Sequence, residues 1–214
     1  MYLSRVEINP RLRASMFALN SPQRLHAIIT ASFPASVAND AANRLLWRVD
    51  KLGHSLYLLV VSPQKPDFSH FIEQLGWPAS EQKWETAIYD PFLSRLNAGQ
   101  QWKFRLRANP TYCKKDTENP NARGKTTPCL RIDDQKSWLE SKLPKHGAIL
   151  NGFELTSREV NQFTRGGESV TLNIATFEGV LTITDPDLLR KALIEGIGRA
   201  KAYGCGLLTL IPVQ

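Results

Sequence analysis

The spacing of apolar residues in the first half of the chain predicts a strand, a helix and two further strands, in that order. Tyr2–Ile8 alternates apolar and polar side chains, as a half-buried strand does. Ser21-Pro22 is typical of a helix start, because Ser can cap free backbone amides and Pro is tolerated at the first helical position. Apolar residues then recur at helical spacing until Pro34 ends the helix. Leu45–Asp50 and Ser55–Ser62 follow as two strands joined by a turn.

Two more elements complete the first half as one folding unit. A short helix at Phe68–Leu75 and a strand at Trp84–Tyr89 give the order β-α-β-β-α-β, which is the ferredoxin-like pattern. We therefore expect a domain over residues 1–92. Residues 90–100 contain proline and glycine turn signals and predict a linker or a turn between two halves.

The second half predicts a similar unit over residues 100–214, so the predicted fold class is α+β with two tandem ferredoxin-like domains. It begins with the strand Trp102–Ala108. The polar, proline-dotted stretch Asn109–Pro128 is too long for a packed loop and is expected to be mobile unless a ligand orders it. The other predicted elements are a helix capped by Asp133-Asp134 and ending at Leu143, strands at Ala148–Thr156 and Ser169–Thr184, a helix from Asp185-Pro186 to Glu195, and a strand at Leu207–Pro212.

The net charge of +7 is concentrated in one segment. Between Arg95 and Arg131 there are nine basic residues and two acidic ones, whereas the rest of the chain contains equal numbers of both. A focused positive charge attracts a polyanion, because neutralising phosphates with Lys and Arg releases condensed counterions. The segment therefore favours a nucleic-acid partner, although a basic solvated loop would have the same composition.

The strand Trp102–Ala108 separates its side chains by chemistry. Strand alternation places its basic residues on one face and its aromatic and aliphatic residues on the other, so one face is core and the opposite face is cationic. The basic residues of this segment that we expect to contact nucleic acid are Lys103, Arg105, Arg107, Lys114 and Lys115.

Composition excludes several other classes of protein. The 42% hydrophobic and 22% charged residues are typical of a globular chain. The longest apolar run, Leu56–Val61, is far below the roughly 18 residues that a membrane span needs. The N-terminus carries no cationic stretch followed by an apolar one, so we expect a cytoplasmic protein with no membrane partner. The three cysteines form no C-x-x-C pair and are expected to be free thiols.

The most distinctive segment is the glycine-rich Gly196–Gly206. It lacks the order of a Walker loop, and it follows a predicted helix where a dinucleotide fingerprint would follow a strand. Its glycines could bring backbone amides close to a phosphate, with Arg199 and Lys201 supplying charge. Alternatively, the glycines serve a tight connection between a helix and a strand, and the sequence leaves both interpretations open.

Three segments carry a resemblance to a known family. They are Met1–Val6, Phe104–Pro110, and Phe177–Ile183 together with Gly196–Leu208. In this order they resemble the CasE family, the CRISPR repeat-processing endoribonucleases of the type I-E system, which are subunits of the Cascade surveillance complex. The matching segments touch both ends and the middle, so the likeness spans the chain, while the middle of each half diverges.

The resemblance implies a two-domain ferredoxin-like protein that binds the stem-loop of a CRISPR repeat and cleaves pre-crRNA at the 3′ base of the stem without metal. Such enzymes use the RNA's own 2′-hydroxyl as nucleophile, leave a 2′,3′-cyclic phosphate and a 5′-hydroxyl, and stay bound to the product with the other Cascade subunits. The sequence agrees with a site without metal or cofactor. Its four histidines form no spaced ligand set, and Asp185-Pro186-Asp187 is better explained as a helix cap than as a magnesium pair.

His26 corresponds to the family's catalytic histidine by position, since it lies seven residues before Phe33 on the first predicted helix. Imidazole, with an ordinary pKa of about 6.5, can accept or donate a proton near neutrality. The helical pattern places His26 at the edge of the apolar stripe, where it can reach a cleft. Family members often carry a tyrosine three residues earlier, where this chain has Gln23, which can hydrogen-bond a phosphate oxygen but has no phenolic proton. Lys201 could stabilise charge on the scissile phosphate.

Arg158–Glu168 predicts a protruding loop or hairpin between two strands. In the family such an element grips the RNA stem, and the arginines Arg158 and Arg165 suit phosphate or guanine contacts. A solvated surface hairpin is the alternative. Arg199 and Lys201 of the glycine-rich segment complete the set of expected RNA contacts.

Two other functions fit parts of the sequence. A non-catalytic RNA-binding module with the same fold would use the same basic segment whether or not His26 takes part in chemistry. A small-molecule-binding or regulatory ferredoxin-like protein would have no affinity for RNA hairpins, and the basic segment argues against it. Cleavage of the repeat RNA in EDTA distinguishes the enzyme from the binding module.

Overall fold

The structure is a computed structural model that describes residues 1–34, 45–81, 83–114 and 124–213. The strands are β1 (Tyr2–Ile8), β2 (Leu46–Leu52), β3 (Ser55–Ser62), β4 (Trp84–Ile88), β5 (Gln101–Ala108), β6 (Thr111–Lys114), β7 (Lys125–Pro128), β8 (Ala148–Arg165), β9 (Glu168–Ile183) and β10 (Leu208–Pro212). The helices are α1 (Arg13–Leu19), α2 (Pro22–Thr30), α3 (Ser69–Leu75), α4 (Asp90–Ser94), α5 (Ile132–Lys142) and α6 (Pro186–Glu195). Two 3-10 turns lie at Leu143–His146 and Lys201–Tyr203.

Two antiparallel sheets with the same topology confirm the predicted fold class. The first has the strand order β2-β3-β1-β4, and the second has the order β10-β5-β9-β8. In each sheet the first and third strands of the unit pair at the centre, as in a ferredoxin-like domain. A separate two-stranded sheet pairs β6 with β7.

The two sheets share a hydrophobic core. Leu46 and Val61 of the first sheet belong to one buried cluster with Phe104, Leu106 and Leu208 of the second sheet. The alternation predicted for β5 is confirmed, because Phe104 and Leu106 are 3% and 0% exposed, whereas the basic residues on the opposite face of the strand are exposed or partly exposed. The two sheets are therefore held together by apolar packing.

A buried arginine crosses between the two sheets. Arg48 on β2 is 1% exposed and donates to both carboxylate oxygens of Asp50, from Nε at 2.7 Å and from Nη2 at 2.8 Å. Its Nη1 donates to the carbonyl oxygens of Arg105 at 3.0 Å and Leu207 at 2.9 Å, and Nη2 donates to Thr209 Oγ1 at 2.8 Å. Planar guanidinium geometry suits this bidentate arrangement, which links the sheets by polar contacts as well.

Two of the three expected helix starts are correct in position, and one of the three expected caps makes capping hydrogen bonds. Asp185 caps α6, since its Oδ1 accepts from the amides of Asp187 and Leu188 at 3.0 Å each. Ser21 occupies the N-cap position of α2, but its side chain makes no capping hydrogen bond. The predicted capping by Asp133-Asp134 is wrong: Arg131 is the N-cap of α5, and the two aspartates lie in its first turn. Their charge is still favourable there, because it complements the helix dipole.

Four segments differ from the sequence prediction. The linker contains α4, and a helix that was not predicted, α1, precedes α2. In the stretch Asn109–Pro128, which was expected to be mobile, β6 and β7 pair as an antiparallel hairpin. Residues 115–123 between these strands lie outside the described part of the chain. The strand predicted to end at Thr156 continues as β8 to Arg165, where the two-residue turn Gly166-Gly167 joins it to β9. The strand predicted at Ser169–Thr184 agrees with β9 to within one residue at each end. Among the described residues, no helix is long and apolar enough to cross a bilayer.

Candidate active site

His26 lies on α2 at the boundary between the core and the surface. Pro22, Leu25 and Ile29 of the same helix are buried, whereas His26 is partly exposed. Its Nδ1 is buried and has no hydrogen-bond partner among the described residues. This burial lowers the pKa of His26 from its ordinary value of 6.5, because desolvation disfavours the imidazolium. The ring is therefore mainly neutral at pH 7 and able to accept a proton.

Gln23 lies one helical turn before His26 and is exposed. A spacing of three residues on a helix puts both side chains on the same side. The amide of Gln23 can donate to one oxygen and accept from another group near the imidazole, but it cannot transfer a proton. The structure therefore offers His26 a neutral hydrogen-bonding neighbour at the position where relatives of the CasE family often have a phenol.

The glycine-rich segment packs against the helix that carries His26. The turn Lys201–Tyr203 contacts α2 and β2. A Cβ atom on Gly204 would lie 2.7 Å from the Trp47 ring, and one on Gly196 would lie 2.8 Å from Leu46. Both glycines also have positive φ, +75° and +76°. The packing interpretation of this segment thus accounts for these two glycines. The contact also brings the segment to α2, the helix that carries His26.

Lys201 reaches the surroundings of a second histidine. The pKa of His146 is lowered by burial first, and then by the positive charges of Lys142 and Lys201. At His26, burial is the cause of the lowered pKa. The backbone of Lys201 thus lies against α2. The charge of its side chain contributes to the lowered pKa of His146, which lies at the end of the 3-10 turn Leu143–His146. Its expected role at the scissile phosphate stays a prediction.

The cationic face of β5 is partly neutralised by acidic residues from neighbouring strands. Lys103 is exposed. Arg105 donates from Nε to Glu178 Oε1 at 2.9 Å, and its Nη1 lies 3.5 Å from Asp50 Oδ2. Arg107 donates to Glu159 Oε2 at 2.9 Å and to the carbonyl oxygen of Gly204 at 3.2 Å. Two of the three expected contacts on this strand therefore also serve the packing of the protein.

A second basic group forms where the β6–β7 hairpin meets the glycine-rich segment. Lys114 and Lys125 are exposed and directly opposite each other in the hairpin register. Exposed Arg199 joins them, since its Nη1 donates to Thr126 Oγ1 at 2.8 Å. Like charges opposite each other destabilise a hairpin unless an anion compensates them. Lys125 was not among the residues expected to contact RNA, and its pairing with Lys114 across the hairpin is what places it in this basic group. Lys115 lies outside the described residues.

The two arginines expected to contact the RNA stem occupy different places on the long hairpin. Arg158 lies well inside β8 and donates to Gln135 Oε1 at 3.1 Å and to the carbonyl oxygen of Leu130 at 2.6 Å. Arg165 is exposed beside the Gly166-Gly167 turn. The structure therefore anchors Arg158 against α5 and presents Arg165 at the tip, about seven residues of extended strand away.

Comparison with known proteins identifies the class of this fold and site. The family model described as CRISPR associated protein matches residues 1–212, and the chain belongs to that family. The CRISPR-associated endoribonuclease Cse3 of Thermus thermophilus is 27% identical over 226 residues, which cover 99% of this chain and 100% of the relative. The CRISPR system Cascade subunit CasE of Escherichia coli K12 is 29% identical over 219 residues, with 100% of both chains covered. Within the family, the chain belongs with these CasE proteins of the type I-E system, as its three sequence segments indicated.

A solved structure supports the same placement. Thermus thermophilus Cse3 bound to an RNA representing a pre-cleavage complex has a TM-score of 0.79 to this chain at 25% identity. The likeness covers 99% of this chain and 98% of that one. The tandem ferredoxin-like architecture is therefore common to both proteins over their whole length.

Proposed function

We propose that this protein is a cytoplasmic, metal-independent endoribonuclease that binds the CRISPR repeat stem-loop and cleaves pre-crRNA at the 3′ base of the stem. The observation that carries the proposal is a half-buried, neutral His26 on a helix in contact with the glycine-rich segment, in a chain of the CasE family. The relatives support it by their names, an endoribonuclease and a Cascade subunit, and by the RNA in the pre-cleavage complex of Cse3.

The reaction is a transesterification within the RNA. Neutral His26 takes the proton from the 2′-hydroxyl, and the resulting oxyanion attacks the adjacent phosphorus. The new bond closes a 2′,3′-cyclic phosphate as the bond from phosphorus to the 5′-oxygen breaks. The departing oxygen takes a proton from water to become a 5′-hydroxyl, and the His26 imidazolium returns its proton to the solvent. The amide of Gln23 donates to a phosphate oxygen, and Lys201 offsets charge that develops on the phosphate.

The basic groups bind the RNA around this centre. Lys103, Lys114 and Arg199 are exposed, and they contact phosphates without reading sequence. Arg165, at the tip of the long hairpin, is placed to enter the groove of the stem. After cleavage, these contacts keep the product bound, and the protein remains on the crRNA as a Cascade subunit.

The test is cleavage of the repeat hairpin in EDTA, with RNA that carries either the 2′-hydroxyl or hydrogen at the scissile nucleotide. The proposal predicts cleavage of the first RNA, a 2′,3′-cyclic phosphate end, and binding without cleavage of the second. Product from the deoxy RNA would show attack by water and overturn the mechanism. Tight binding of both RNAs without any cleavage would favour a non-catalytic RNA-binding module. This module is the second candidate function, because the chain has Gln23 where family members often have a tyrosine.

A further inference from the structure

A cavity lies between the two sheets on the side of α2. Its volume is about 210 Å³. Pro22 and Leu25 of α2 and Trp47 of β2 line one side, and Asn161 of β8 and Tyr203 of the glycine-rich segment line the other. The catalytic helix, the long hairpin and the glycine-rich segment therefore all contribute to one enclosure.

The size of this cavity selects the class of ligand. It is far larger than the roughly 30 Å³ that one water molecule occupies. It is also smaller than the roughly 300 to 1,000 Å³ of pockets for drug-sized ligands. A single planar ring system fits this range.

The polar groups on the cavity wall suit the edge of a nucleobase. The side-chain amide of Asn161 carries donors and an acceptor together, and makes no hydrogen bond to other described residues. The ion pair of Arg107 and Glu159, also at the cavity, fixes the strand that carries Asn161.

The cavity is lined by two elements that carry residues of the proposed reaction, α2 and the 3-10 turn Lys201–Tyr203, which contact each other. Leu25 precedes His26 directly, and Tyr203 follows Lys201 by two residues. From this placement and chemistry we propose that the cavity receives one unpaired nucleobase of the RNA, from a nucleotide adjoining the scissile phosphate. The inference rests on the proposed function. Holding this base outside the stack would fix the ribose and phosphate that adjoin it.

The experiment compares intact RNA with RNAs in which the base on either side of the scissile phosphate is missing and the 2′-hydroxyl is kept. At one of the two positions, loss of the base should slow single-turnover cleavage by wild-type protein roughly 5- to 100-fold, the effect of one lost base contact. Asn161→Ala should slow cleavage of intact RNA and have little further effect on that abasic RNA. Asn173→Ala is the matched control, because Asn173 lies on the neighbouring strand β9 outside the cavity.

A second measurement does not depend on cleavage. An uncleavable RNA carries 2-aminopurine beside the scissile phosphate, and quenching by acrylamide reports whether the base is shielded. Binding to wild-type protein should shield it, and Asn161→Phe, which fills the cavity, should leave it exposed while the RNA still binds. Equal effects of Asn161→Ala on intact and abasic RNA, or no shielding at either position, would overturn the proposal. If the proposed endoribonuclease function is wrong, intact RNA will not be cleaved at all. The quenching of 2-aminopurine would then still show whether the cavity binds a base, because it does not depend on cleavage.

Discussion

Replacing Arg48 should destabilise the protein more than any exposed arginine would. The side chain is 1% exposed and makes five hydrogen bonds, two to Asp50 and three to groups of the second sheet at Arg105, Leu207 and Thr209. Arg48→Met keeps most of the volume but leaves the carboxylate of Asp50, which is 8% exposed, without its bidentate partner. Removing one member of a buried ion pair typically costs about 3–5 kcal/mol of the free energy of unfolding.

The remaining partner of Asp50 sets the size of this loss within that range. Arg105 Nη1 lies 3.5 Å from Asp50 Oδ2 and can compensate part of the charge, so we expect the lower half of the range, about 3–4 kcal/mol. Urea unfolding followed by circular dichroism measures it. The double variant Arg48→Met with Asp50→Leu removes both charges and should recover more than half of the loss. A loss below about 1 kcal/mol in Arg48→Met would refute the argument that this buried pair fastens the two sheets.

Three further outcomes follow from the site and its surroundings. Because burial lowers the pKa of His26, the cleavage rate should be independent of pH at and above 7 and should fall in acid, with the midpoint of the fall below pH 6.5. A midpoint above pH 6.5 in the pH–rate profile would contradict a buried general base. Lys114→Gln should flatten the log–log slope of RNA affinity against salt by roughly 0.7–0.9, whereas Arg105→Gln, which loses an intramolecular ion pair, should leave the slope nearly unchanged in filter-binding titrations. Gly204→Ala should lower the free energy of unfolding by roughly 1–3 kcal/mol in denaturant titrations, since its φ is +75° and its Cβ would meet the Trp47 ring at 2.7 Å; unchanged stability would show that the ring can move away.

The fold was predictable where side chains alternate or cluster strongly. In β5, Phe104 and Leu106 are buried between outward-facing basic residues, and period-two alternation is a direct sequence signal. Helix α1 escaped prediction because Met16 and Phe17 are exposed at 48% and 60%, so its apolar residues do not mark a buried stripe. The outer part of β8 escaped for a related reason: residues 158–165 are mainly exposed polar positions, which form a strand only because β9 pairs with them.

The site was predictable in its central residue and not in its electrostatics. The position of His26 follows from the family resemblance, and its half-buried state follows from the edge of the helical stripe. The ion pairs of Arg105 with Glu178 and of Arg107 with Glu159 join residues more than fifty positions apart in the sequence. Such pairs depend on strand register, which the sequence does not reveal. The sequence therefore predicts a fully cationic face on β5, whereas in the structure acidic side chains neutralise part of its charge.

The most direct measurement of the account is single-turnover cleavage of the repeat hairpin in EDTA by wild-type protein and by three alanine variants, with RNA affinity measured in parallel. His26→Ala should slow cleavage by at least roughly 10²-fold with nearly unchanged affinity, because it removes the proton acceptor and leaves the basic groups in place. His54→Ala and His70→Ala are matched controls, since both histidines are exposed and belong to other elements than α2, and both variants should cleave at the wild-type rate. Equal cleavage rates in His26→Ala and wild type, at equal affinity, would remove His26 from the mechanism and contradict the account.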